Sequence, residues 1–134
     1  TITVDCDVIN ADGGTRCASI TAGYIALVMA LEGYAERTKV AVPFPSPIAA
    51  VSIGIVGQEL VTDLCYLEDS DAHVDMNIVS SEAGIVEIQG TGEAGPFSRL
   101  QLDEMVTAGS NACETLHGFQ AEVLSQWRLN RSTT

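Results

Sequence analysis

Asp12-Gly13-Gly14-Thr15-Arg16 separates an alternating apolar segment from a long stretch with helical apolar spacing. That is the layout of a strand, a tight glycine turn and a helix. Two adjacent glycines let the backbone take positive φ and approach a ligand closely. Free N–H groups at the helix start point into the same space, where an anion is favoured. Thr15 adds a hydroxyl donor, and Arg16 adds a planar fork that matches phosphate oxygens. Together Gly14, Thr15 and Arg16 read as a cradle for phosphate or a phosphodiester. The plainer alternative is a helix-start turn carrying a surface arginine, because Gly-Gly turns before helices are common.

Working outward, Ile2, Val4, Cys6 and Val8 alternate with Thr3, Asp5 and Asp7, which predicts a strand with one apolar face. Asp5 and Asp7 share the other face, either to hold a cation, to do acid–base work or, more commonly, as a solvated surface. After the turn, Ile20, Tyr24, Leu27, Val28, Leu31 and Tyr34 recur at helical spacing and predict a helix from Thr15 to about Glu36. Gly23 inside it costs roughly 1 kcal/mol relative to Ala and is expected to permit close packing. Pro43, Pro45 and Pro47 then mark an extended linker, because alternating prolines forbid helix. This divides the chain into a strand and helix over 1–40, a linker over 41–48 and a second unit over 49–134.

In that second unit, Ala49 to Val56 is a nearly continuous apolar run, expected to be buried on both faces. Gly57-Gln58 reads as a hairpin turn, with a return strand from Leu60 to Leu67. Two further strands are predicted at Val74 to Ser80 and Ile85 to Gln89, joined by a turn over Ser81 to Gly84. From Ser98 to about Trp127 the apolar spacing is helical, and Gly109-Ser110 is expected to break or bend it. The last residues, Asn130 to Thr134, are polar and expected to fray. The fold class is α/β, more strictly α+β: a mixed sheet with packed helices.

The chain has 134 residues, enough for one domain or one and a fraction. Its formal charge of −12 excludes wrapping nucleic acid by charge alone, because phosphate contacts draw on Lys and Arg. A nucleic-acid role therefore needs metal ions or other chains to bring positive charge. Cys6, Cys17, Cys65 and Cys113 are widely spaced, with no Cys-x-x-Cys pair and no zinc-like arrangement with His. They read as reduced, buried thiols in a cytoplasmic protein, with a disulfide framework as the minor alternative. The apolar runs look shorter than the roughly 20 residues a bilayer span needs, so no membrane partner is expected. No basic-plus-apolar leader opens the chain. It begins without Met, directly in a strand pattern, as expected if something ahead of it had been removed.

The second concentration of chemistry is Glu68-Asp69-Ser70-Asp71-Ala72-His73-Val74-Asp75-Met76-Asn77. Asp69 is expected where one strand leaves the sheet and Asp75 where the next enters. Such a return can bring both carboxylates onto one hard divalent cation, Mg²⁺ or Mn²⁺. The alternative is an acidic, solvated loop. His73 is expected at the surface, and His117 as a structural residue of the tail.

Taken in order, several motifs stop being independent. They are Asp-Cys-Asp-Val from Asp5, Ala-Asp-Gly-Gly-Thr-Arg from Ala11, Ala-Ala-Val-Ser from Ala49, Glu-Asp-Ser from Glu68, Asp-Met-Asn from Asp75, and Glu-Ile-Gln-Gly-Thr from Glu87 with Pro-Phe-Ser from Pro96. This order resembles the bacterial ribonuclease PH family over almost the whole chain, and matches about the C-terminal half of a family member. The resemblance implies a phosphorolytic 3′→5′ exoribonuclease that trims tRNA precursors, uses inorganic phosphate and releases nucleoside diphosphates. The reverse reaction is nucleotide addition, hence tRNA nucleotidyltransferase. It also implies a homo-oligomer, a hexameric ring in the family.

By that resemblance, Gly14, Thr15 and Arg16 bind phosphate, and Asp69 and Asp75 are the catalytic, metal-associated aspartates. Asn10 stands where the family usually has Gln, Cys17 where it has Thr, and His73 where it often has an acid. The loop Gly92-Glu93-Ala94-Gly95 also varies. Three functions are compatible with these residues. One is the catalytic half of a phosphorolytic RNase, alone or with a separate N-terminal half. Another is a self-associating, non-catalytic unit of the same fold. The last is an acidic metal-binding domain unrelated to RNA. A sheet truncated at this point leaves edges that must be paired or covered, so association is expected.

Overall fold

The computed structural model describes residues 1–132. Its elements run α1 (Thr15–Thr38), β1 (Ile48–Val56), β2 (Glu59–Thr62), α2 (Tyr66–Ser70), β3 (Ala72–Ser81), β4 (Gly84–Thr91) and α3 (Arg99–Ser132). The four strands form one sheet in the order β2-β1-β3-β4. Every neighbouring pair is antiparallel, so the sheet is not the mixed one expected: tight turns join β1 to β2 and β3 to β4, and the short α2 return is no crossover long enough for a parallel pair.

β1 is the buried centre, as its unbroken apolar run demands: Ala49 through Ile55 are all buried. Ala49, Val51, Ile53 and Ile55 join Val74, Met76 and Ile78 of β3 under Met105 and Cys113 of α3. The alternate residues Ala50 and Val79 meet Cys17 of α1 on the opposite face. The two long helices therefore cover opposite faces of the sheet, and α1 also meets α3 where both run past its end.

β2 pairs only with the far half of β1, from Ile53 to Val56. Side chains occupy the rest of that edge. The Ala50 N–H donates to Thr21 Oγ1 at 3.0 Å. The Gln120 amide donates to the Ile48 and Thr21 carbonyls, both at 2.9 Å. Backbone groups that a strand would otherwise have paired are thus satisfied by α1 and α3.

Several expectations need correction. Residues 2–8 carry no strand. Alternation marks a surface fit to be half buried, but a strand also needs a neighbour for its backbone, and the sheet ends at β2 and β4. The segment instead lies against α1. A Cβ on Gly23 would sit 3.2 Å from Val4 Cγ1, so that glycine does admit close approach. The return strand stops at Thr62, and residues as far as Leu67 turn into α2. α3 is continuous through Gly109 and Ser110, and on through Asn130 to Ser132. Residues 133 and 134 lie outside the described residues.

Gly109 is buried and a Cβ there would lie 2.6 Å from Ile78 Cδ1. It sets how closely the helix approaches the sheet and does not end it. α1 is long and apolar enough to cross a membrane by length and composition, with an 18-residue stretch of mean hydropathy 1.3, contrary to the expected shortness of apolar runs. Here its apolar residues Cys17, Val28 and Leu31 are buried by packing. Tyr34, expected in the buried stripe, is exposed. All four cysteines are free, but only Cys17 and Cys113 are buried, while Cys6 is exposed.

Candidate functional site

The glycine turn is seated by contacts from distant parts of the chain. Gly14 takes φ 68° and is the N-cap of α1, with no side chain capping the helix. The first-turn N–H groups are therefore uncapped by a side chain, the condition under which a helix start attracts an anion. Asp12 Oδ1 accepts from the Gly13 N–H at 2.9 Å and the Tyr66 N–H at 2.5 Å. The Tyr66 bond, then the Gly13 bond, hold its carboxyl below the usual range. Beneath the turn lies Ser52, buried on β1. Its Oγ accepts from the Leu64 N–H at 3.1 Å, and its carbonyl accepts from the Asp63 N–H at 2.7 Å.

Thr15 Oγ1 donates back to the Asp12 carbonyl at 2.9 Å, so its proton already braces the turn. Arg16 Nη2 donates to Glu87 Oε1 at 2.8 Å and Oε2 at 3.0 Å. The pair is half exposed. Cys17, one residue on, lies beside Asn77 Oδ1 at 2.9 Å. Burial raises the Cys17 thiol pKa to about 11, so it is a neutral packing group at physiological pH.

β3 carries the acidic side of the site. Asp75 pairs with Gly54 of β1 and Thr91 of β4. It shares the α1 face with Asn77 and Val79, by strand alternation. Burial raises its carboxyl pKa, and the charges of Asp69 and Glu93 raise it further. Asp69 is not on the loop expected of it. It sits in α2, where its N–H donates to the Cys65 carbonyl at 2.9 Å. α2 packs against β3, and the charge of Asp69 is among the causes that raise the Asp75 carboxyl. Cys17, next to Arg16, contacts Asn77, two residues from Asp75 on the same face of β3, which links this acidic side to the helix start. His73 is the extra residue at a β1–β3 irregularity and is exposed, as expected. His117 Nε2 lies 3.3 Å from the Ser80 carbonyl, consistent with the structural place expected of it. Asp5 and Asp7 are exposed.

Among the described residues, no three His, Cys, Asp or Glu side chains group as a metal cage. A two-carboxylate site still suits Mg²⁺, which keeps several waters and is commonly held by one or two carboxylates plus substrate phosphate. Burial, and after it the charges of Asp69 and Glu93, raise the Asp75 carboxyl, the direction a bound cation would oppose. Arg16, at the start of α1, is paired with Glu87. Arg128 and Arg131 are tied to Glu32 and Glu36 at the far end of α1, and Arg99 to Asp103.

Sequence reasoning assigned no role to Glu87, Asn77 or Ser52, nor to the Asp12 brace. Only Asp12 had a local signal, since an Asp before a glycine turn can accept a nearby N–H.

A family model described as the 3′ exoribonuclease family, domain 2, matches residues 46–112. Ribonuclease PH of Exiguobacterium sibiricum is 46% identical over 130 residues, 95% of this chain and 52% of that protein. Ribonuclease PH of Mycobacterium ulcerans is 48% identical over 128 residues, 93% of this chain and 49% of that protein. The chain thus spans about half the length of the curated relatives it matches. Among solved structures, rice (Oryza sativa) Rrp46 matches with TM-score 0.71 at 19% identity, covering 87% of this chain and 51% of its own. The Archaeoglobus fulgidus exosome with RNA bound to the active site matches with TM-score 0.62 at 20% identity, over 82% of this chain and 44% of its own. At these identities the structural likeness speaks for the fold. Together with the family match over residues 46–112 and the close relatives, it shows that the chain belongs to the ribonuclease PH family of 3′ exoribonucleases.

Proposed function

We propose that this chain is the C-terminal half of a phosphate-dependent 3′→5′ exoribonuclease that trims tRNA 3′ ends and releases nucleoside diphosphates. The observation that carries the reading is the uncapped start of α1, with Arg16, on the same side of the sheet as the carboxylate of Asp75. Phosphorolysis needs an attacking phosphate held in line with a phosphodiester, and charge on the phosphoryl oxygens must be offset. The N–H groups of Gly14, Thr15 and Arg16 and the Arg16 guanidinium would hold the phosphate. Asp69 and Asp75 would hold Mg²⁺ or Mn²⁺, which supplies electrostatic stabilisation of the phosphoryl oxygens when bound. A carboxyl group of the site could also serve as acid toward the leaving 3′-oxygen, in whichever of the two aspartates does not bind the metal directly.

With Arg16 the cation at this site, the remaining positive charge for an RNA 3′ end comes from the metal and from other chains. Those are an N-terminal half and neighbouring copies in a homo-oligomer, a hexameric ring by family. Association is supported by β4, an edge strand whose Ile85, Val86 and Ile88 are all exposed. A monomer mass at micromolar concentration would count against it. Four free thiols accord with a cytoplasmic setting.

The test is phosphate-dependent release of nucleoside diphosphate from a tRNA with extra 3′ nucleotides, in Mg²⁺. The chain is assayed alone and mixed with the N-terminal half of a relative. Release that Arg16→Ala and Asp75→Asn abolish supports the reading. Release only in the mixture identifies a split active site. No release in either arm by folded protein favours the second reading, a self-associating unit without turnover.

A further inference from the structure

We infer that Glu87 is a positioning residue that holds the Arg16 guanidinium ready for phosphate. The inference rests on the proposed phosphate site at the start of α1.

β4 would not present Glu87 to Arg16 if it were a regular strand. Ile85 pairs with Ser80, but Glu87 pairs with Val79, so Val86 is an extra residue opposite that step. In an unbroken strand, Ile85 and Glu87 would share a face. Val86 reverses the alternation. Ile85 borders the pocket formed with Ser110, Glu114 and His117 of α3, and Glu87 comes out on the α1 face with Val79. Bulges recur where a strand must re-aim a side chain.

The contact divides the guanidinium's donors. Both Glu87 oxygens take hydrogen bonds from Nη2. Nη1 and Nε make no hydrogen bond among the described residues and keep their donors for a second oxyanion. A half-exposed arginine has many rotamers to lose on binding, and fixing it beforehand removes part of that cost from the ligand. The opposing idea is that Glu87 is a competitor, an internal anion that phosphate must displace. The two ideas predict opposite signs.

The experiment titrates inorganic phosphate into the full chain by calorimetry, for wild type, Arg16→Ala, Glu87→Ala and Glu87→Gln. Arginine side-chain NMR follows the Arg16 Nη protons. Positioning predicts that Glu87→Ala weakens phosphate binding by about fivefold, the scale of a half-exposed ion pair. It also predicts freer rotation of the Arg16 guanidinium. Glu87→Gln keeps an acceptor oxygen in place and should recover most of the affinity. A merely structural role would lower Tm and leave the phosphate dissociation constant unchanged, which would overturn the inference. Binding as tight as wild type or tighter in Glu87→Ala would also overturn it, in favour of competition. If Arg16→Ala binds like wild type, or if wild type does not bind millimolar phosphate, the phosphate site fails and the inference fails with it. If Arg16→Ala weakens binding and Glu87→Ala does not, only the role of Glu87 is lost.

Discussion

Gly13→Ala is the sharpest test of how the glycine turn is built. Gly13 does not have a left-handed backbone, so conformation alone would forgive the change. Space would not. An added Cβ would lie 2.0 Å from the Leu64 carbonyl oxygen and 2.7 Å from Cys65 C. Ordinary contact is about 3.5 Å, so the turn and the loop must part by about 1.5 Å. The loop cannot retreat, because the Asp63 N–H is bonded to the Ser52 carbonyl and the Leu64 N–H to Ser52 Oγ. The turn must lift, which breaks the Asp12–Tyr66 bond and carries Gly14 away from its seat.

Overpacking against backbone belongs at the upper end of the usual range, about 3 kcal/mol. With a urea slope of about 1.5 kcal/mol/M, the unfolding midpoint falls by about 2 M. Gly118→Ala is the control. It lies in α3 with nothing near the added carbon, and should gain up to about 1 kcal/mol from helix propensity. The assay is urea unfolding followed by far-ultraviolet circular dichroism. Equal midpoints for Gly13→Ala and wild type, at unchanged slope, would refute the seating of the turn on residues 64 and 65.

Gly109→Ala should lose about 1 kcal/mol in the same assay, because the methyl group would overpack Ile78 by more than the helix gains; a more stable variant would contradict the close approach of α3 to the sheet. Gln120→Leu leaves the Thr21 and Ile48 carbonyls unpaired while removing an Oε1 that has no partner among the described residues, and should cost about 2 kcal/mol by urea midpoint; no loss would mean those edge groups find other donors. Asp75 has a folded pKa above its unfolded one, so the native state holds the extra proton between the two values and stability falls as pH rises through that interval. Asp75→Asn should therefore raise Tm at pH 7 in chelator, with the gain vanishing below about pH 4, while abolishing phosphorolysis; a lower Tm at pH 7 would contradict the crowding of Asp69 and Glu93 around it.

Much of this protein was legible without coordinates. β1 follows from its unbroken apolar run, and α1 from the spacing of Ile20 to Leu31 after the glycine turn. Both signals are local, since burial periodicity is written into consecutive residues. The candidate residues could be named because their motifs lie in short, ordered stretches.

Tertiary structure decided what those stretches do to each other. The alternation at residues 2–8 looked like a strand, but strand formation depends on a neighbour that a local pattern does not specify. Gly109 looked like a break, but its role depends on Ile78, far away in sequence and adjacent in space. Glu87 reaches Arg16 across 71 positions only because one extra residue, Val86, reverses the face of β4. Sequence determines what each segment can bury and which way its backbone can turn. Partners for charges, edges and close approaches are long-range, and they exist only once the sheet's register has been set.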